Sequence, residues 1–94
     1  MNPSTLYLVQ SSYHATPKII DELSHLFQAG DQIIFMGDSV ARLSAEMIQQ
    51  FENVSCLSIE KDLIDTNTLT QINVLEYDQF ADLILTFNRC ISFK

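Results

Sequence analysis

The feature that most limits what this chain can fold into lies at residues 71–93, QINVLEYDQFADLILTFNRCISF. A short apolar run at 72–75 is followed by Phe80, Leu83, Ile84 and Phe87, which recur at helical spacing, and then by a second apolar run, CISF. Asp78 stands where an N-cap is expected, and Asn88-Arg89 turns the chain into its last strand. Two short strands joined through a helix call for parallel strands of one sheet, with the helix packed on one face.

The rest of the chain repeats the pattern. Residues 5–10, TLYLVQ, follow Pro3 and have the β-branched and aromatic content of a strand. After the polar loop SSYHA, Thr16-Pro17 reads as an N-cap with proline at the first helical position. Ile19, Ile20, Leu23, Leu26 and Phe27 paint one helical face, and Gly30 is the expected left-handed residue ending that helix. IIFM at 33–36 is continuous apolar sequence, as in a strand buried on both faces. Gly37 breaks it, Asp38 is placed to cap the next helix, and Val40, Leu43, Met47, Ile48 and Phe51 give that helix its stripe. VSCLSI at 54–59 is the third strand, residues 60–65 allow a turn or two of helix, and Thr66-Asn67-Thr68 reads as a polar connection. Strand and helix thus alternate throughout. The expected fold is α/β and three-layered, a mostly parallel sheet of about five short strands with helices on both faces, in one domain spanning 1–94. Helices reach both faces only if one crossover runs backwards, which places the last strand beside the first.

Charge narrows the function. Twelve acidic residues against five basic ones give a net charge of −7. Lys18, Arg42, Lys61, Arg89 and Lys94 are scattered, so no basic stripe exists to grip a phosphate backbone, and direct nucleic-acid binding is not expected. The carboxylates read as a solvated surface, part of which could face a basic partner. No apolar run approaches the ~18–20 residues needed to cross a bilayer. The opening MNPSTLYLVQSSYH lacks a basic n-region and a small-residue cleavage site, so a cytoplasmic address is expected.

Few residues offer chemistry. The simplest account of Cys56, in mid-strand, is a buried apolar thiol. Cys90 follows Arg89, whose guanidinium would favour the thiolate if both side chains pointed outward. Its place at the start of a strand argues for packing, because ligands of open parallel sheets gather at the carboxyl ends. That rule directs attention to the loop Ser11 to His14 and the turn Gly37 to Ser39, with Ser11, Ser12, Tyr13 and Asp38 as pocket-lining or subunit-contact residues. Ser12 and His14 lack an elbow motif and an orienting acid, so a catalytic pair is not expected. His14 and His25 stand apart from any zinc spacing, and His25 falls off its helix's apolar stripe. No G-x-G-x-x-G or P-loop is present, and a carboxylate at position 38 would repel a phosphate. Neither cofactor nor metal is expected.

These motifs together resemble the TusB/DsrH family, within the DsrE/F/H-like sulfur-relay proteins, and most closely its TusB-like subunits. The resemblance covers essentially the whole domain. LYLVQSS followed by Tyr13 is similar to the family's first strand, which ends in a basic residue, Ser, Pro and an aromatic. AGD before the second strand is similar to EGD, MGDSV to QDGV, and LSIEKDL to an ALNEDL-type segment. VLEYDQFADLILTFNRCISF is similar to the IDYxxFVxLxxK ending, with Tyr77, Phe80 and Leu83 at family spacing around Asp78. Gly37, Ser39 and Ser12 depart from the pattern, and 41–53 is compact. The resemblance implies a non-catalytic subunit that joins TusC-like and TusD-like sister chains in a heterohexamer. That complex passes persulfide sulfur toward 2-thiouridine at the tRNA wobble position, with the working cysteine on the TusD-type chain. DsrH-type relatives carry a cysteine in the first helix, and the corresponding position here, counted back from Gly30, is Leu23. The rival reading is a DsrH-type sulfur carrier in sulfur oxidation that uses Cys90 instead. A stand-alone homo-oligomer is the third.

Overall fold

A computed structural model describes residues 4–94. Pro3 therefore lies outside the described residues. The elements in order are β1 (Thr5–Val9), α1 (Thr16–Leu26), β2 (Gln32–Phe35), α2 (Asp38–Ala41), α3 (Ala45–Ile48), β3 (Val54–Leu57), a 3-10 helix (Ser58–Leu63), α4 (Thr66–Leu69), β4 (Asn73–Leu75), α5 (Tyr77–Thr86) and β5 (Arg89–Phe93). All four strand pairings are parallel, in the order β4-β3-β2-β1-β5. The reversal expected at the final unit is present: β5 returns across the sheet to pair with β1, from Thr5 opposite Arg89 to Val9 opposite Phe93.

That return divides the apolar residues between two faces. On one face Tyr7, Val9, Ile33, Phe35, Val54 and Cys56 pack against Ile19, Ile20 and Leu23 of α1, Val40 of α2 and Ile48 of α3. On the other, Leu6, Ile34 and Met36 meet Phe80, Leu83 and Ile84 of α5 and the neighbouring Phe87. Leu6, Leu23, Ile33 and Ile34 are wholly inaccessible to solvent, and each contributes roughly 1.5–3 kcal/mol of burial. The two faces are unequally clothed. No residue of α5 is fully buried, so its expected buried side is only half-buried. The reason is topological: four short helices and the 3-10 helix connect β1 through β4, whereas the return to β5 supplies a single helix.

Several boundaries differ from the sequence reading. Thr16 does not cap α1. Ala15 holds the N-cap position without a side-chain bond, and Thr16 lies inside the helix. Helix α1 also stops before Gly30, because Phe27 turns extended (φ −67°, ψ 131°) and packs edge-on against Phe51 at 5.2 Å. Leu26 is left half-exposed. Gly30, at φ +92°, instead serves the turn closed by the Asp31 N–H donating to the Gln28 carbonyl at 3.0 Å. A Cβ there would lie 2.7 Å from the Ser4 hydroxyl.

The single helix expected after Gly37 is two. Ser44 leaves helical geometry (φ −133°, ψ 160°), and its hydroxyl accepts from the Met47 N–H at 3.4 Å, starting α3. Asp38 is not a cap either: Gly37 occupies the N-cap position and Asp38 is the exposed first residue of α2. The third strand ends at Leu57 rather than at Ile59, so Ser58 and Ile59 enter the 3-10 helix and Ile59 is exposed. Thr66-Asn67-Thr68 forms a turn of helix capped by Asp65. At α5 the N-cap is Glu76, not Asp78, and its N–H donates to Gln79 Oε1 at 2.8 Å.

Candidate functional site

The loops at the carboxyl ends of β1 and β2 are built on hydroxyl groups. Ser11, which is buried, shares a hydrogen bond with the Thr16 hydroxyl at 2.8 Å, and Thr16 donates to the Ser12 carbonyl at 2.7 Å. The Ser12 hydroxyl accepts from the Ala15 N–H at 3.2 Å. These bonds satisfy backbone groups that the start of α1 would otherwise leave open. They also account for both serines structurally. Ser12 makes no hydrogen bond to His14 among the described residues. Tyr13 is half-exposed, with the Arg42 guanidinium 5.7 Å from its ring centre and the His14 ring edge-on at 6.0 Å. Ser11, Ser12, Tyr13 and Asp38 thus share one end of the sheet.

Two side-chain contacts hold this end together. The Ser39 hydroxyl lies 2.8 Å from the Met36 carbonyl and 3.1 Å from that of Val9, locking the ends of β1 and β2. The Gly37 N–H donates to Glu60 Oε2 at 2.6 Å, joining the turn after β2 to the 3-10 helix. The other carboxylate oxygen of Glu60, Oε1, is buried without a hydrogen bond. Gly37 and Glu60 are 23 residues apart, and neither residue type signals the contact in sequence. Beside them, Leu57, Ser58, Ile59, Leu75, Glu76 and Tyr77 line a shallow apolar pocket at the carboxyl ends of β3 and β4.

The two cysteines occupy opposite situations. Cys56 faces the α1 side of β3 with no solvent exposure. Burial pushes its thiol above the ordinary range, and the Glu60 carboxylate pushes it further. Both effects disfavour the thiolate that sulfur chemistry requires. Cys90 is exposed on the edge strand β5, so the packing role expected for it is corrected. It pairs with Leu6 and therefore faces the α5 side, while the neighbouring Arg89 pairs with Thr5 on the opposite face. There the Arg89 Nε–H donates to the Thr5 hydroxyl at 2.9 Å. The two side chains diverge, so the guanidinium is not aimed at the thiol. Cys90 also sits at the amino end of the sheet, away from the loops at Ser11 and Asp38.

Among the described residues no group of His, Cys, Asp and Glu could hold a metal ion. His25 is exposed, its Nδ1 lying 2.9 Å from the Asp21 carbonyl of its own helix. No described helix is long and apolar enough to cross a membrane. The fold and site define an α/β domain with an all-parallel five-stranded sheet and a hydroxyl-braced carboxyl end. In comparison with known proteins, no family model and no curated protein matched the chain.

Proposed function

We propose that this chain is a non-catalytic, TusB-like subunit of a sulfur-relay complex that supports 2-thiouridine formation at the tRNA wobble position, beside TusC-like and TusD-like sister chains. The observation that carries the reading is at Leu23. The position where the resemblance puts the thiol of the carrier relatives is an aliphatic side chain wholly buried between α1 and the sheet. The one thiol in the sheet interior, Cys56, is equally inaccessible. A relay thiol must be reached by the donor persulfide and must ionise, and neither position allows it. The role proposed for the chain is scaffolding: it presents surface to sister chains and helps to shape the pocket in which their thiol reacts.

A second reading draws on the exposure of Cys90. As a carrier, its thiolate would attack the outer sulfur of a donor persulfide. A new S–S bond would form on Cys90, the donor's S–S bond would break, and the donor would leave as its thiolate. Because Cys90 is open to solvent, alkylation alone does not separate the two readings. Persulfide transfer does. The purified chain is incubated with a persulfidated donor protein and weighed by mass spectrometry. Under the scaffold reading it gains no sulfur, while co-expressed sister chains co-purify with it. A one-sulfur gain that Cys90→Ser abolishes establishes the carrier and overturns the scaffold.

A further inference from the structure

The pocket at the carboxyl ends of β3 and β4 measures about 240 Å³ and is lined by Leu57, Ser58, Ile59, Leu75, Glu76 and Tyr77. That lies below the roughly 300–1,000 Å³ of small-molecule sites, and is a size for one side chain rather than a substrate. Its walls include two of the most exposed large apolar residues in the chain, Ile59 at 86% and Tyr77 at 78%. Single exposed apolar residues are ordinary; two beside one apolar recess form a patch.

The backbone that presents them is anchored. The Tyr77 ring meets Phe80 edge-on at 6.2 Å, Glu76 is tied to Gln79, and the 3-10 helix is tied through Glu60 to Gly37. Little ordering entropy would be lost when a partner docks there. Charge then selects the partner. The segments 57–63 and 75–78 expose Asp62, Glu76 and Asp78 against Lys61 alone, Glu60 being turned inward to Gly37, within a chain of net charge −7. A surface of the opposite sign gains both encounter rate and register. A second copy of this chain would bring like charges together.

We propose that this pocket is a docking site for a basic protein surface that inserts one large apolar side chain between Ile59 and Tyr77. Nothing in this surface requires the partner to belong to a sulfur relay. The test titrates the ¹⁵N-labelled full chain with three amidated pentapeptides: Gly-Lys-Phe-Lys-Gly, the same with Ala for Phe, and the same with Glu for both Lys. The first peptide is expected to shift the amides of residues 57–59 and 75–77, with affinity falling roughly tenfold or more on raising salt from about 50 to 500 mM. The other two peptides are expected to leave those amides in place. Ile59→Asp and, independently, Tyr77→Ser are expected to abolish the response while the remaining amide peaks hold their positions. No response, an equal response to the Glu peptide, or shifts centred elsewhere overturns the proposal. So does self-association in sedimentation that Ile59→Asp disrupts, because it assigns the patch to a second copy.

Discussion

Arg89 reaches back across the sheet to Thr5, its Nε–H donating to the Thr5 hydroxyl at 2.9 Å, and so turns its charge away from the adjacent Cys90. On a strand, neighbouring side chains point to opposite faces, and the parallel register fixes which residue faces which side. Cys90 is therefore open to reagents without a cation directed at it. In the native protein Cys90 is expected to react with iodoacetamide while Cys56 reacts only on unfolding. Arg89→Gln should leave the Cys90 rate within about twofold, since no guanidinium is positioned to hold its thiolate. Peptide mapping after timed labelling measures both. A large slowing in Arg89→Gln would mean that the two side chains meet in solution.

The Asp31 carboxylate, also buried, closes the loop into β2. One oxygen accepts from the Thr5 N–H at 2.8 Å and the other from the Gln28 N–H at 2.9 Å. Asp31→Ala leaves the buried Thr5 donor unpaired, a loss of about 1–3 kcal/mol for that group. Asp31→Asn keeps one acceptor oxygen and should lose less. Urea unfolding of the two variants beside the wild type tests the order.

Gly37 stands at φ +65°, ψ −141°, a backbone geometry that L side chains rarely adopt. An added Cβ would meet nothing within 4 Å, so the cost of Gly37→Ala is conformational rather than steric. About 1–3 kcal/mol is expected. If the turn shifts to relieve that strain, the 2.6 Å bond to Glu60 is lost with it. The amide of residue 37 would then exchange faster with solvent, which hydrogen exchange reads directly.

The alkaline limb of stability should report Cys56. Its thiol is raised by burial and then by Glu60, so the folded state prefers the protonated form. The stability linked to it is fully present below the unfolded thiol's pKa, about 8.5, and is lost as pH rises through the folded value. Tyr7, raised by burial and then by Asp31, adds a loss of the same sign, beginning from about pH 10. The urea midpoint is expected to fall as pH rises above about 8.5 in the wild type and to fall less steeply in Cys56→Ala. Tyr7→Phe should flatten only the more alkaline part. Asp65 acts in the opposite direction. Hydrogen bonding from Thr68 lowers its pKa, so its contribution is present above about pH 3.9 and lost as pH falls through the folded value.

The alternation of strand and helix was legible because each apolar run carries a period of its own, and the return of β5 to β1 follows from the need to cover two faces. What escaped were contacts and breaks with no sequential mark. Val40, Leu43, Met47, Ile48 and Phe51 fit one helical stripe, yet Ser44 starts a new helix within it and all five still reach the same core cluster. Ser44 is a good capping residue, and that was the available signal. Asp65 before Thr66 was another, masked by its polar surroundings. Ile59 continues the apolar run of β3 and reads as strand, but the backbone has already left the sheet. For the candidate site, the carboxyl-end rule pointed to the loop at Ser11–Tyr13 and to Asp38, which lie at one end of the sheet. It could not find Glu60, whose partner Gly37 is brought near only by the crossover.

Leu23 offers the sharpest check on the scaffold reading. Placing a thiol there by Leu23→Cys would give a reactive group only if the side chain could be reached, and Leu23 is wholly buried against the sheet. The smaller side chain removes part of the packing between α1 and the core, at a cost of about 2 kcal/mol. The new thiol is expected to resist iodoacetamide in the native state and to accept no sulfur from a persulfide donor, so that a Leu23→Cys, Cys90→Ser double variant gains no mass. Labelling after unfolding in urea should show the thiol present and competent. Rapid native labelling, or a one-sulfur gain by the double variant, would mean that the inner face of α1 opens to partners. The burial argument at Leu23 would then no longer support the scaffold reading.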